Sequence, residues 1–148
     1  MGSTFLSLHY HIVFATKGRR PFIVAEWRSR LHEYLGGAVR GLGGIPQAIG
    51  GVADHVHLLV GLKATHTLAD FVRELKKGGT TWVHEEKLEP IFAWQEGYAA
   101  FTVSPNGRSG VKGYIARQEE HHRERSYVEE LKQMLQRAEI EFDPRYLE

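Results

Sequence analysis

Between residues 5 and 15 (FLSLHYHIVFA) apolar side chains alternate with period two. Leu6, Leu8, Tyr10, Ile12 and Phe14 fall on one face, and Ser7, His9 and His11 on the other, which predicts a strand with one buried face. A short basic turn (KGRRP) follows at 17–21. From 25 to 42 the apolar spacing becomes three or four, with Trp27, Leu31, Tyr34/Leu35 and Ala38 inward; this predicts a helix that Gly43 and Gly44 end. Residues 45–52 and 55–61 (HVHLLVG) predict two strands joined by a tight turn near 53–54. Thr67 is the expected N-cap of a helix running to about 86, with Leu68, Phe71/Val72, Leu75 and Trp82 or Val83 inward. Gly78 and Gly79 in its middle predict a kink or a close approach by another backbone. Residues 97–104 predict a fourth strand, 105–110 (PNGRSG) a turn and 111–123 a helix. Ser126 with Glu129 three residues on is a capping-box signature for a last helix to about 140, whose apolar side is Val128, Leu131, Leu135 and Ala138.

The order β-α-β-β-α-β followed by helices predicts an α+β, ferredoxin-like antiparallel sheet with helices on one face, plus C-terminal helices. The expected single domain, 1–148, has its core at about 5–104. One open sheet face would suit a site. The 148 residues are one domain's worth of chain, and 42% hydrophobic with 25% charged is ordinary for a globular protein. The absence of cysteine excludes a disulfide framework, a thiolate metal site and a cysteine nucleophile. No apolar run approaches the ~20 residues that span a bilayer and no signal peptide is visible, so a cytoplasmic location is expected. The net charge is only +1, but residues 1–117 carry 14 Lys and Arg against 9 Asp and Glu, and residues 118–148 carry 5 against 9. A basic body with an acidic tail is compatible with a polyanionic partner, and equally with a chance imbalance.

Nine histidines are many for this length, and four form two His-x-His pairs, His9/His11 and His55/His57. Alternate side chains of a strand point the same way about 6.6 Å apart, so two imidazoles at that spacing can converge on one ion. Val52, Val56, Leu58 and Val60 form the apolar side of their segment, leaving His55 and His57 on the opposite face. An isolated His-x-His is more often a solvated pair, and a third ligand is needed to make a site. His9/His11 would border the same place if the first and third strands are neighbours. In the helix VKGYIARQEEHH, Tyr114 and Gln118 are four apart and share a face, with His121 and His122 one turn on. Gln118 offers a carbonyl oxygen to a hard cation and Tyr114 a phenolic oxygen, but taken alone this spacing more often means an amphipathic helix with a half-buried core tyrosine.

Taken together, DHVHLLV followed about sixty residues later by a helix carrying Tyr-x-x-x-Gln resembles the single-tyrosine HUH transposases of insertion-sequence-200-like elements. The resemblance extends over YHIVFATKGRR, LADFVRELKKG, FAWQEGYAAFTVS and YIARQEEHHRERS, with FDPRYL near the end. It implies that His55, His57 and Gln118 are metal ligands for Mg²⁺ or Mn²⁺ and that Tyr114 is the nucleophile. It further implies cleavage and rejoining of single-stranded DNA through a 5′-phosphotyrosine, recognition of hairpin ends, and a homodimer whose active sites can be shared between subunits. Three basic groups are expected on DNA: Lys17, Arg19 and Arg20; Arg73, Lys76 and Lys77; Lys112 and Arg117. Trp94, Tyr98 and Phe101 are candidates for stacking on unpaired bases. Two other readings remain open at this point. One is a host-adopted or inactive relative that binds structured single-stranded DNA or RNA. The other is an unrelated small metalloenzyme, for which a β-barrel would need many more strands.

Overall fold

The computed structural model describes residues 2–147. Strands β1 (His9–Ala15), β2 (Ile45–Val52), β3 (His55–Gly61) and β4 (Ala99–Thr102) form one antiparallel sheet in the order β2-β3-β1-β4. Helices α1 (Ala25–Gly41) and α2 (Leu68–Glu85) follow β1 and β3, and α3 (Arg108–Ala116), α4 (Gln118–His121) and α5 (Tyr127–Arg137) close the chain. This is the expected α+β, ferredoxin-like order. The open four-stranded sheet excludes the β-barrel alternative.

Period-two alternation seats Ile12, Phe14, Val56, Leu58 and Val60 on one face of the sheet. Trp27, Leu31, Leu35 and Val39 of α1, with Phe71, Val72, Leu75 and Val83 of α2, complete that core. α1 ends as expected: Gly43 takes φ 86° and its N–H and that of Gly44 donate to the carbonyls of Arg40 and Val39. α2 runs unbroken through Gly78 and Gly79. The close neighbours there are side chains, not backbone: a Cβ on Gly78 would lie 2.7 Å from the Tyr34 hydroxyl, and one on Gly79 3.4 Å from the Trp94 indole nitrogen.

The other sheet face differs from expectation. It is covered, not open. In register, Val13 faces His57 and Ala15 faces His55 across the β1–β3 ladder. Val13 and Ala15 pack under Tyr127, Leu131 and Leu135 of α5. β1 is therefore buried on both faces from Ile12 to Ala15 and starts later than its alternation, since Phe5 and Leu6 are exposed. The inward side of α5 is rotated from the expected one: Tyr127, Glu130, Leu131 and Leu135 are buried, Val128 is only partly so and Ala138 is exposed. Burying an aromatic ring on the sheet outweighs burying Ala138. Ser126 caps α5 as expected, its Oγ accepting from the Glu129 N–H at 3.2 Å.

The expected helix 111–123 is two helices. Arg117, at φ −107° and ψ 27°, breaks it between Tyr114 and Gln118. α3 lies against β2, where a Cβ on Gly50 would sit 2.5 Å from the Ile115 carbonyl oxygen. Only glycine admits that approach, and it sets the height of the tyrosine helix above the sheet.

Candidate metal centre and nucleophile

The β2–β3 turn and the start of β3 are pinned from outside: the Thr16 N–H donates to the Asp54 carbonyl and the Ile23 N–H to that of Ala53, each at 2.9 Å. His55 and His57 thus emerge side by side on the face covered by α3 to α5, both fully buried. Each imidazole is steered through Nδ1. His55 Nδ1–H donates to Asp54 Oδ1 at 2.7 Å, and His122 Nδ1–H donates to the Arg125 carbonyl at 2.8 Å. His57 Nδ1 shares a hydrogen bond with His11 Nε2 at 2.8 Å. The three Nε2 atoms then converge. His55 Nε2 and His122 Nε2 each lie 3.1 Å from Gln118 Oε1. Glu130 Oε1 lies 3.3, 3.0 and 3.1 Å from the Nε2 atoms of His55, His57 and His122. Outer partners on Nδ1 with Nε2 directed inward are how metal-binding imidazoles are held.

The second carboxylate oxygen of Glu130 organises the other half of the site. Gln118 Nε2 donates to Glu130 Oε2 at 3.1 Å, which turns the amide oxygen toward the imidazoles. The Tyr114 hydroxyl donates to the same oxygen. The phenol ring lies 5.8 Å from the His57 ring, centroid to centroid, and stacks on His121 at 4.3 Å. Tyr114, Gln118, His55 and His57 of one chain are therefore in one place, although the helix between Tyr114 and Gln118 is broken.

The electrostatics reflect this packing. Burial holds His57 down to about 4 and His11 down to about 3. Burial opposes a charge on His55 too, but hydrogen bonds to Asp54 and Glu130 outweigh it and raise its pKa. Burial raises Glu130, yet hydrogen bonds from His122, His55 and His57 carry it far below the usual carboxylate range. Burial, reinforced by the adjacent Glu130 carboxylate, pushes the Tyr114 phenol up. The pocket thus favours positive charge at its centre and an un-ionised phenol at its edge.

Two partners were not visible in the sequence as ligands. Glu130 is fully buried on the apolar side of α5, three residues after Tyr127 and four before Met134. A lone acid at that helical position was the available signal. His122 stood out only as part of a histidine pair. Of the first pair, His11 borders the cluster, whereas His9 turns to Arg108, 3.3 Å away.

The basic residues are dispersed. Arg73, Lys76 and Lys77 sit on α2, in the layer on the far side of the sheet from the histidines. Lys76 donates to the Gln95 and Gly97 carbonyls at 2.7 and 2.9 Å, and Arg73 pairs with Asp70 at 2.9 Å. Lys17, Arg19 and Arg20 occupy the turn after β1, with Arg20 over the Phe22 ring. Lys112 and Arg117 are exposed on and just after α3. The cleft that reaches Tyr114 is lined by Arg125 and Arg137. Trp94 is not a stacking surface: it is buried edge-on against Phe14 and Phe92. Phe101 packs beside the α5 core, and Tyr98 is exposed.

A buried imidazole pair beside a helix-borne tyrosine on a ferredoxin-like sheet is the arrangement to set against known proteins. The family described as "Transposase IS200 like" matches residues 4–118. The chain belongs to that family, and so to enzymes acting on DNA. Among solved structures it is similar to a protein from Deinococcus radiodurans R1 assigned as a transposase, with 28% identity, a TM-score of 0.63, and 80% of this chain and 96% of that one covered. It is also similar in fold to a REP-associated tyrosine transposase bound to a REP hairpin, at 14% identity and TM-score 0.61, covering 82% of this chain and 73% of that one. No curated protein sequence matches. Among the described residues, no helix is long and apolar enough to cross a membrane.

Proposed function

We propose that this protein is a metal-dependent transposase that cleaves and rejoins single-stranded DNA through a 5′-phosphotyrosine on Tyr114. The observation that carries this reading is the meeting of Tyr114 and Gln118 on one oxygen of Glu130 while the other oxygen meets His55 and His57. His55, His57 and Gln118 would hold a divalent ion, Mg²⁺ or Mn²⁺. The fit rests on the donor set: His55 Nε2 and Gln118 Oε1, whose outer atoms donate to Asp54 and Glu130, face each other as two acceptors. Such an ion supplies Lewis-acid polarisation of the scissile phosphate and orients it.

The remaining steps belong to the chain. The Tyr114 hydroxyl is held toward Glu130 Oε2 and faces the cleft between α3 and α5, where Arg125 and Arg137 meet the phosphate charge. The phenol oxygen attacks phosphorus, its proton passing toward the carboxylate. The bond from phosphorus to the 3′-oxygen breaks, leaving a 3′-hydroxyl and a 5′-phosphotyrosine. Attack by a second 3′-hydroxyl reverses the step onto a new strand without ATP. A free phenol with a pKa near 10 is a weak nucleophile, and here burial weakens it further, so charge stabilisation at the phosphate has to supply the rate.

The hairpin on the related REP-associated transposase supports DNA with hairpin ends as the substrate. Tyr114 stands beside the His pair of its own chain, so a homodimer, also part of this reading, does not need to exchange tyrosines. The test is a hairpin-bearing single strand with Mg²⁺ or Mn²⁺, resolved on a denaturing gel. The intact protein is expected to form a covalent adduct, and Tyr114→Phe to bind the oligonucleotide without forming one. An adduct on Tyr114→Phe would remove Tyr114 from the role. Binding with no adduct by the intact protein would favour the host-adopted binding relative instead.

A further inference from the structure

The His cluster contains more donors than the proposed His55–His57–Gln118 set, and the surplus lies beyond residue 118, where the family match ends. His122 and Glu130 form one group with His55 and His57, whose ligand atoms all lie within 4.8 Å of one another. The outer hydrogen bonds show how these atoms are aimed at one another. His55 and His122 place their Nδ1 protons on Asp54 and on the Arg125 carbonyl, so in their neutral forms both Nε2 atoms carry bare lone pairs. Gln118 donates one of its amide hydrogens to Glu130 Oε2, which turns its acceptor Oε1 toward the imidazoles. Glu130 is fully buried, and its Oε1 accepts. Three imidazole nitrogens, the Gln118 amide oxygen and one Glu130 oxygen thus converge, with Glu130 Oε1 lying 3.3, 3.0 and 3.1 Å from the Nε2 atoms of His55, His57 and His122. Buried acceptors without donors are costly, and a cation satisfies all of them at once. Their separations of 3.0–3.3 Å match adjacent ligands on an octahedral ion, about 3 Å apart for bonds near 2.1 Å.

We propose that Glu130 and His122 are themselves metal ligands, so that the C-terminal segment supplies an anionic and a third imidazole donor to the centre. This rests on the metal-dependent reading above and sharpens it. Three imidazole nitrogens, one carboxylate and one amide oxygen form a nitrogen-rich set. Mg²⁺ prefers oxygen donors and water, whereas imidazole favours transition metals. The centre therefore selects a transition ion such as Mn²⁺, Co²⁺ or Zn²⁺ over Mg²⁺. α5, which carries Glu130, becomes part of the metal site rather than a cover over it.

The experiment is a Co²⁺ titration of the full chain after chelator treatment, without DNA, read by calorimetry and by visible absorption of the bound ion. The protein is expected to bind Co²⁺ with Mg²⁺ unable to displace it at equal concentration. Glu130→Gln is expected to weaken Co²⁺ by at least about tenfold and to change its absorption bands. A carboxylate that merely braced α5 would alter neither band position nor affinity in a folded variant, and folding is checked by circular dichroism. Should Glu130→Gln fail to fold, His122→Asn asks the same question, since its amide can still donate to the Arg125 carbonyl while Nε2 is lost. Co²⁺ affinity and bands unchanged in the folded variant, while His55→Ala abolishes binding, would overturn this assignment alone. No Co²⁺ binding by the unaltered protein would overturn it together with the metal-dependent reading.

Discussion

Replacing Gly50 by alanine tests the link between one backbone contact and the reacting tyrosine. The added Cβ would fall 2.5 Å from the Ile115 carbonyl oxygen and 2.9 Å from Ile115 Cγ2. A carbon and an oxygen need a little over 3 Å, so α3 or β2 must give by roughly 0.8 Å, since β2 is locked to β3 and cannot turn a side chain aside. Overpacking of this kind costs about 1–3 kcal/mol. Tyr114 precedes Ile115, so the lift passes directly to the phenol. A displacement near 1 Å at a reacting group can lower a rate about 100-fold. The assay is the rate of covalent adduct formation at saturating hairpin oligonucleotide, beside urea unfolding of the same variant. The expected result is a loss of about 1–3 kcal/mol with a 10- to 100-fold slower adduct and near-normal DNA affinity. Wild-type stability together with a wild-type rate would refute the claim that Gly50 sets the height of the tyrosine helix.

Two further outcomes follow from the same geometry. Ser126→Ala removes the oxygen that caps α5 and is expected to cost about 1 kcal/mol in urea unfolding, a loss that Ser126→Asp largely avoids. His32 is held down to about 4 by burial and by Arg28, and its Nε2 has no hydrogen-bond partner among the described residues. Below pH 6.5 the unfolded chain takes up a proton that the folded chain refuses until about pH 4. Stability should therefore fall as pH drops through that window, by up to about 3 kcal/mol from this group, and His32→Gln should flatten the decline. An equally steep decline in the variant would assign it to other groups.

Much of this molecule was readable from local pattern. Alternation around Ile12 and Phe14, the three-to-four spacing of Trp27, Leu31 and Leu35, and the Ser126 cap each act within a few residues, and each element formed near its expected place. The His55-x-His57 pair was legible for the same reason, because a strand's two-residue period alone sends both imidazoles to one face. Only the tertiary structure decided what covers that face. α5 packs on Val13 and Ala15, and this long-range burial brings Glu130 to imidazoles more than seventy residues earlier in the chain. The break at Arg117 leaves no mark in the sequence pattern, because helix periodicity says nothing of the sheet beneath, where Gly50 lets α3 descend. Local spacing determines the direction in which a side chain points, whereas convergence of buried polar groups depends on which distant surfaces exclude water together, and no short stretch of sequence carries that information.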